Sequence, residues 1–135
     1  MREILFRGKR KDNGEWVEGY FCGKYNETFF SPAKESAQII DKDLYWHEVI
    51  PETVGQYTGL TDKNGKKIFE GDIIHCVSKF DSADMVVVFE CGQFRRILAE
   101  KYHEHQTNVG YYDINCFAKE VIGNMHDNLE LLKRG

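Results

Sequence analysis

Two Asn-Gly pairs set the terms on which this chain can fold. Asn13-Gly14 follows Glu3–Lys11 and precedes Glu15–Phe21, and Asn64-Gly65 precedes Lys67–Val77. Both residue types tolerate positive φ, and Asn-Gly between strand-like runs is the strongest short-range signal for a hairpin. The first pair predicts a β-hairpin. Its leading strand carries Ile4 and Phe6 on one face, and its second strand alternates Trp16, Glu18 and Tyr20 against Val17, Gly19 and Phe21. The second predicts another hairpin or tight turn over Asp62–Gly65.

Further along, Met85–Phe89 is a continuous, β-branched apolar run and predicts a strand buried on both faces. Glu90–Gln93 then reads as a turn, Phe94–Leu98 as the return strand and Phe117–Ile122 as another strand. Asn128 is placed to cap a short helix over Leu129–Lys133. Lys24–Tyr45 reads as loop with a short strand near Gln38–Ile40, and Ser31-Pro32 could open one helical turn. Trp46–Tyr57 reads as extended chain, and residues 95–105 suit helix by composition and strand by their neighbours. Short strands punctuated by turns predict a mostly β fold with minor α, a barrel or coiled sheet.

With 135 residues the chain fits one domain spanning 1–135. Nine Phe, seven Tyr and two Trp provide material for a core, which argues against disorder. The 18 Lys and Arg against 22 Asp and Glu leave a net charge of −4, which argues against strong sequence-independent nucleic-acid binding. Met85–Phe89, the longest apolar run, is too short to span a bilayer, and the first residues lack a signal-peptide stretch. The expectation is a cytoplasmic protein with no membrane partner. Cys22, Cys76, Cys91 and Cys116 contain no Cys-x-x-Cys pair and read as buried free thiols.

Candidate chemistry is sparse. Asp62, Asn64, Glu70 and Asp72 are oxygen ligands, but Gly65 falls at position four of an EF-hand count and Ile73 at position twelve. His103 and His105 share a face only on a strand and have no third ligand nearby. His75 and Cys76, adjacent on a strand, point to opposite faces, so the imidazole cannot readily activate the thiol. Glu70 and Asp72 flank Gly71 and could line a groove, though turn charges are the plainer explanation. Phosphate loops, nucleophile elbows and zinc-protease motifs do not occur. No catalytic residue, cofactor or metal is therefore expected. Arg7, Lys9, Arg10 and Lys11 beside Trp16 and Tyr20 form the one basic-aromatic patch that could meet a single strand of nucleic acid.

Three segments carry a family resemblance. They are Ile4–Lys9 with Asn13–Tyr20, the long central stretch Pro51–Ile74, and the ending Glu120–Asn124, Asp127-Asn128 and Glu130–Leu132. Together they resemble the YopX family of phage and prophage proteins over most of the chain. His126 and Leu129 stand where that ending usually has Tyr and Pro. The resemblance implies a bacteriophage or prophage accessory protein built of coiled β-sheets that include an SH3-like barrel, and it makes homo-oligomers plausible. It transfers no activity and no catalytic residue. The barrel agrees with the strands read around Glu70–Leu98.

The expectation is thus a non-enzymatic module that binds a host or phage protein or its own copies. Trp16, Tyr20 and Tyr57 are the candidate contact anchors, with core packing as their alternative role. A nucleic-acid-binding SH3-like module is the second possibility and a metal-dependent enzyme the third.

Overall fold

The computed structural model describes residues 3–24, 36–79, 81–90, 93–99, 112–113 and 118–132. Ser31-Pro32, His103, His105, Cys91 and Cys116 lie outside them. The fold is mostly β, and the chain divides into two compact units, Met1–Tyr57 and Thr58–Gly135.

In the first unit the strands are β1 (Phe6–Lys9), β2 (Trp16–Lys24), β3 (Ser36–Ile40), β4 (Trp46–Val49) and the opening of β5 (Gly55–Thr61). They are antiparallel in the order β4-β3-β2-β1-β5. The pairing also returns on itself. Arg10 bridges Val49, the Ile50 N–H donates to the Lys9 carbonyl at 2.8 Å, and the Lys11 N–H donates to Glu48 at 3.0 Å. This ring surrounds a core of Ala37, Ile39 and Val49, with Phe6, Val17 and Val54 packed against it. The strands around Glu70–Leu98 belong to a second sheet. Strand periodicity explains the pattern, since Phe6 and Val17 face inward while Arg7, Lys9, Trp16, Glu18 and Tyr20 face outward.

The predicted first hairpin is present, with β1 antiparallel to β2, and its connection is longer than the Asn-Gly pair alone. The Arg10 N–H donates to Glu15 O and the Gly14 N–H to Arg10 O, both at 2.9 Å, which leaves four residues in the loop. Gly14 has φ +72° while Asn13 stays out of the left-handed region. Its side-chain oxygen instead accepts the Glu15 N–H at 2.9 Å, a local contact typical of Asn in turns. The stretch read as extended, Trp46–Tyr57, contains a 3-10 turn at Pro51–Thr53. Proline pre-sets its first φ. The Thr53 hydroxyl then donates to Ile50 O at 2.6 Å and accepts the Lys9 N–H at 2.9 Å.

In the second unit β5 continues and pairs with β6 (Lys67–Phe69). Strands β7 (Asp72–Val77), β8 (Ser82–Glu90), β9 (Gln93–Leu98), β10 (Tyr112–Asp113) and β11 (Ala118–Asn124) form an antiparallel sheet of order β10-β9-β8-β7-β11. Its centre is buried on both faces, as the apolar run of β8 predicts. Met85 and Val87 join Ile68, Ile74 and Cys76 on one side. Val86 joins Ile73, Ile97, Ala99 and Leu132 on the other. Leu132 closes a 3-10 turn over Leu129–Leu132, where a short helix was expected after Asn128.

Within the central stretch, two buried polar side chains hold backbone groups of the second unit. The Thr58 hydroxyl donates to Ile68 O at 2.8 Å and accepts the Leu60 N–H at 3.1 Å. Asp72, 1% exposed, accepts the Phe69 N–H at 2.8 Å, so it caps the Glu70-Gly71 turn rather than lining a groove with Glu70. Among the described residues no helix is long and apolar enough to cross a membrane.

Candidate interaction surface

Two turns in this chain share one hydrogen-bond plan. In Asp41–Tyr45, the Asp41 Oδ1 accepts the N–H groups of Asp43 (2.8 Å) and Tyr45 (3.1 Å). In Asp62–Lys66, the Asp62 Oδ1 accepts those of Asn64 and Lys66, both at 2.9 Å. The backbone closes each in the same way. Asp41 N–H donates to Tyr45 O and Leu44 N–H to Asp41 O, just as Asp62 N–H donates to Lys66 O and Gly65 N–H to Asp62 O. Each turn then needs a left-handed fourth residue. Gly65 meets this with φ +81°, whereas the other turn places Leu44 there at φ +67°. For a residue with a Cβ this conformation costs about 1–2 kcal/mol.

What holds Leu44 in place is Asp41. Its second oxygen meets His47 Nε2 at 2.7 Å. The hydrogen bond from His47, opposed by burial and aided by the Tyr45 and Asp43 N–H groups, keeps the Asp41 carboxyl below its ordinary pKa. The turn projects Leu44 and Tyr45 into solvent at 74% and 68% exposure.

An apolar row adjoins this turn. Register puts Tyr20 opposite Ile40 and Ile40 opposite Trp46, so the three share the outer face. Tyr20 is 63% exposed and Trp46 59%. Tyr20, Leu44, Tyr45 and Trp46 together present on the order of 400 Å² of surface, the scale at which such a patch on a monomer is often functional.

The three anchors named from sequence fall in different settings. Tyr20 belongs to this surface. Trp16 is half-buried under Arg7, whose guanidinium carbon lies 4.6 Å from a ring centroid, and Lys9, whose Nζ lies 5.8 Å away. Tyr57 is buried at 7% exposure. Sequence reasoning missed Leu44, Tyr45 and Trp46. The signal available was the Asp-Lys opening that Asp41-Lys42 shares with Asp62-Lys63, and it was obscured because Leu stands where the second turn has Gly.

The other sequence candidates resolve differently. In the basic patch, Arg10 pairs with Asp12 at 2.6 Å and Lys11 with Glu48 at 3.0 Å, while Arg7 and Lys9 cover Trp16. The Asp62 carboxylate is engaged by backbone, its Oδ2 accepting the Val121 N–H at 3.0 Å. Burial raises its pKa, but the N–H groups of Val121, Lys66 and Asn64 outweigh this and hold it below the ordinary value. His75 and Cys76 do point to opposite faces. Cys76 is buried in the core, while His75 Nδ1 meets Asp84 Oδ1 at 2.8 Å across β7 and β8. That pair lines a cleft of about 450 Å³ with Asp81, Ser82, Leu98 and Leu131. Cys22 is exposed, against the expectation of a buried thiol, because it lies on the outer face of β2 in register with Gln38.

A β-module built on a ring of strands, with an exposed apolar turn on its surface, is the class these features define. The chain belongs to the YopX family, whose model, described as YopX protein, matches residues 5–133. Among solved structures it is similar to the crystal structure of protein EF1440 from Enterococcus faecalis. Identity is 22% over 98% of this chain and 99% of that one, with a TM-score of 0.53, a likeness of fold. Comparison with curated proteins finds no match.

Proposed function

We propose that this chain is a non-enzymatic protein-binding module and that Tyr20, Leu44, Tyr45 and Trp46 form its contact surface. The observation that carries this is Leu44. The same turn occurs twice with its fourth residue exposed both times, and the left-handed position holds Gly in the turn tied to the last strand but Leu in the other. Backbone strain kept at an exposed apolar side chain is the pattern of a binding loop. The finer setting belongs to the same proposal. It is an accessory protein of a bacteriophage or prophage, acting in the bacterial cytoplasm on a host or phage protein, with assembly of its own copies as the variant form. A nucleic-acid role is less favoured, since the cations of the basic patch already hold partners within the chain.

The test is affinity capture from prophage-carrying cells, using the full chain and its Leu44→Gly and Trp46→Ala variants. A stoichiometric protein retained by the parent and lost by both variants is the expected result. Equal recovery by all three would remove this surface from the function.

A further inference from the structure

We propose that the Asp41 turn seats an extended segment of the partner protein centred on an acidic residue. This rests on the docking role just proposed and names its chemistry. The matching turn already holds such a segment within the chain. The Lys63 N–H donates to Lys119 O at 3.0 Å, and Asp62 Oδ2 accepts the Val121 N–H at 3.0 Å. Between those two residues stands Glu120, whose Oε2 lies 3.3 Å from Lys63 Nζ. The Asp62 turn thus reads a carbonyl of β11, the carboxylate of the next residue and the N–H of the one after. The unpaired edge of any extended chain offers the carbonyl and the N–H, so the acidic side chain is what selects the segment.

Asp41-Lys42 repeats Asp62-Lys63 at the two positions that make these contacts. Lys42 is exposed, and among the described residues neither its N–H nor its ammonium has a partner. The Asp41 carboxylate accepts the Asp43 and Tyr45 N–H groups and meets His47, which fills three of its roughly four acceptor sites. One site remains for the N–H of a docked segment. Leu44 stands where the other turn has Gly65 and gives the segment an apolar contact.

Charge complementarity selects the same guest. Lys11 pairs with Glu48, and Arg7 and Lys9 cover Trp16, so Lys42 is the cation of this surface left to meet a carboxylate. Exposed Asp43 stands beside it where the other turn has neutral Asn64, so the acid of the guest is held less firmly here than Glu120 is by Lys63. A second copy of this chain is a poor source of the segment, because β11 of each copy is already held by its own Asp62 turn.

The experiment follows the backbone N–H signals of the full chain by NMR. The probe is a capped peptide with the sequence of β11, the seven residues Ala118–Asn124. One twin carries Glu120→Gln, and another carries N-methylated valine at the position of Val121. The Lys42 N–H signal should move on titration with the parent peptide. Affinity should fall about two- to five-fold for the Gln twin and about three- to ten-fold for the N-methyl twin. Lys42→Ala keeps its N–H and should abolish the preference for Glu over Gln. Asp43→Asn should tighten the parent peptide by about two-fold. Equal affinity for the Glu and Gln peptides, or no movement of Lys42 at millimolar peptide, would overturn the proposal, and the capture experiment then decides the docking role separately. Movement of the Lys63 signal in place of Lys42 would overturn it as well. Light scattering is run on the same samples. A dimer that Lys42→Ala converts to monomer would assign the turn to a second copy and refute the proposal.

Discussion

The Asp41 and Asp62 turns follow the same bonding plan and serve opposite ends. In both, one aspartate oxygen gathers two backbone N–H groups and the fourth residue turns left-handed. The second oxygen separates them. That of Asp62 reaches the Val121 N–H, 59 positions away, and ties the turn to the last strand. That of Asp41 reaches His47, six positions away, and stiffens the turn itself. One turn therefore draws its surroundings together and uses glycine where strain would weaken it. The other is self-contained and keeps leucine there. A turn that serves only the fold has no reason to accept that strain, and this contrast is what supports the proposal of a contact at Leu44.

The sharpest way to break this contrast is Asp62→Ala. It leaves the N–H groups of Asn64, Lys66 and Val121 without their acceptor and should lower stability by about 3 kcal/mol or more in urea unfolding. Acid should act on the same group. A carboxyl whose folded pKa is depressed contributes stability that is fully present above its unfolded pKa, about 3.9, and is lost as pH falls through the folded value. Unfolding midpoints followed downward from pH 6 should fall in the parent, and in Asp62→Ala they should fall less. If the two chains lose stability in parallel, Asp62 is not the group responsible.

Exchanging the fourth residues gives the smaller effects. Gly65→Leu places a Cβ in the left-handed region of the structural turn and should cost about 1–2 kcal/mol. Leu44→Gly relieves that strain but adds freedom to the unfolded chain, so a net gain below about 1 kcal/mol is expected in the melting curve. A stability loss in Leu44→Gly would show that Leu44 supports the fold and would undo the comparison.

Much of the architecture was legible because it depends on local signals. The Val-rich run of β8 announced burial on both faces, and adjacent residues on β7 had to separate His75 from Cys76. The 3-10 turn at Pro51–Thr53 was not legible, since it depends on a Thr53 hydroxyl reaching Lys9, 44 positions earlier. Tyr20 was found as an aromatic of the first hairpin. Its neighbours Ile40 and Trp46 come together only through cross-strand register across β2, β3 and β4, which composition does not encode. Leu44 escaped notice because leucine gives no turn signal.

The order of the second sheet has a consequence for synthesis. Strand β7 pairs with β8, which follows at once, and with β11, which the ribosome delivers much later. Roughly 40 residues separate β7 from β11, a delay of about 2–8 s at translation rates of 5–20 residues per second. Through that interval one edge of the most deeply buried strand pair stands open in the nascent chain. The Asp62 carboxylate, already made, waits for the backbone group it will hold.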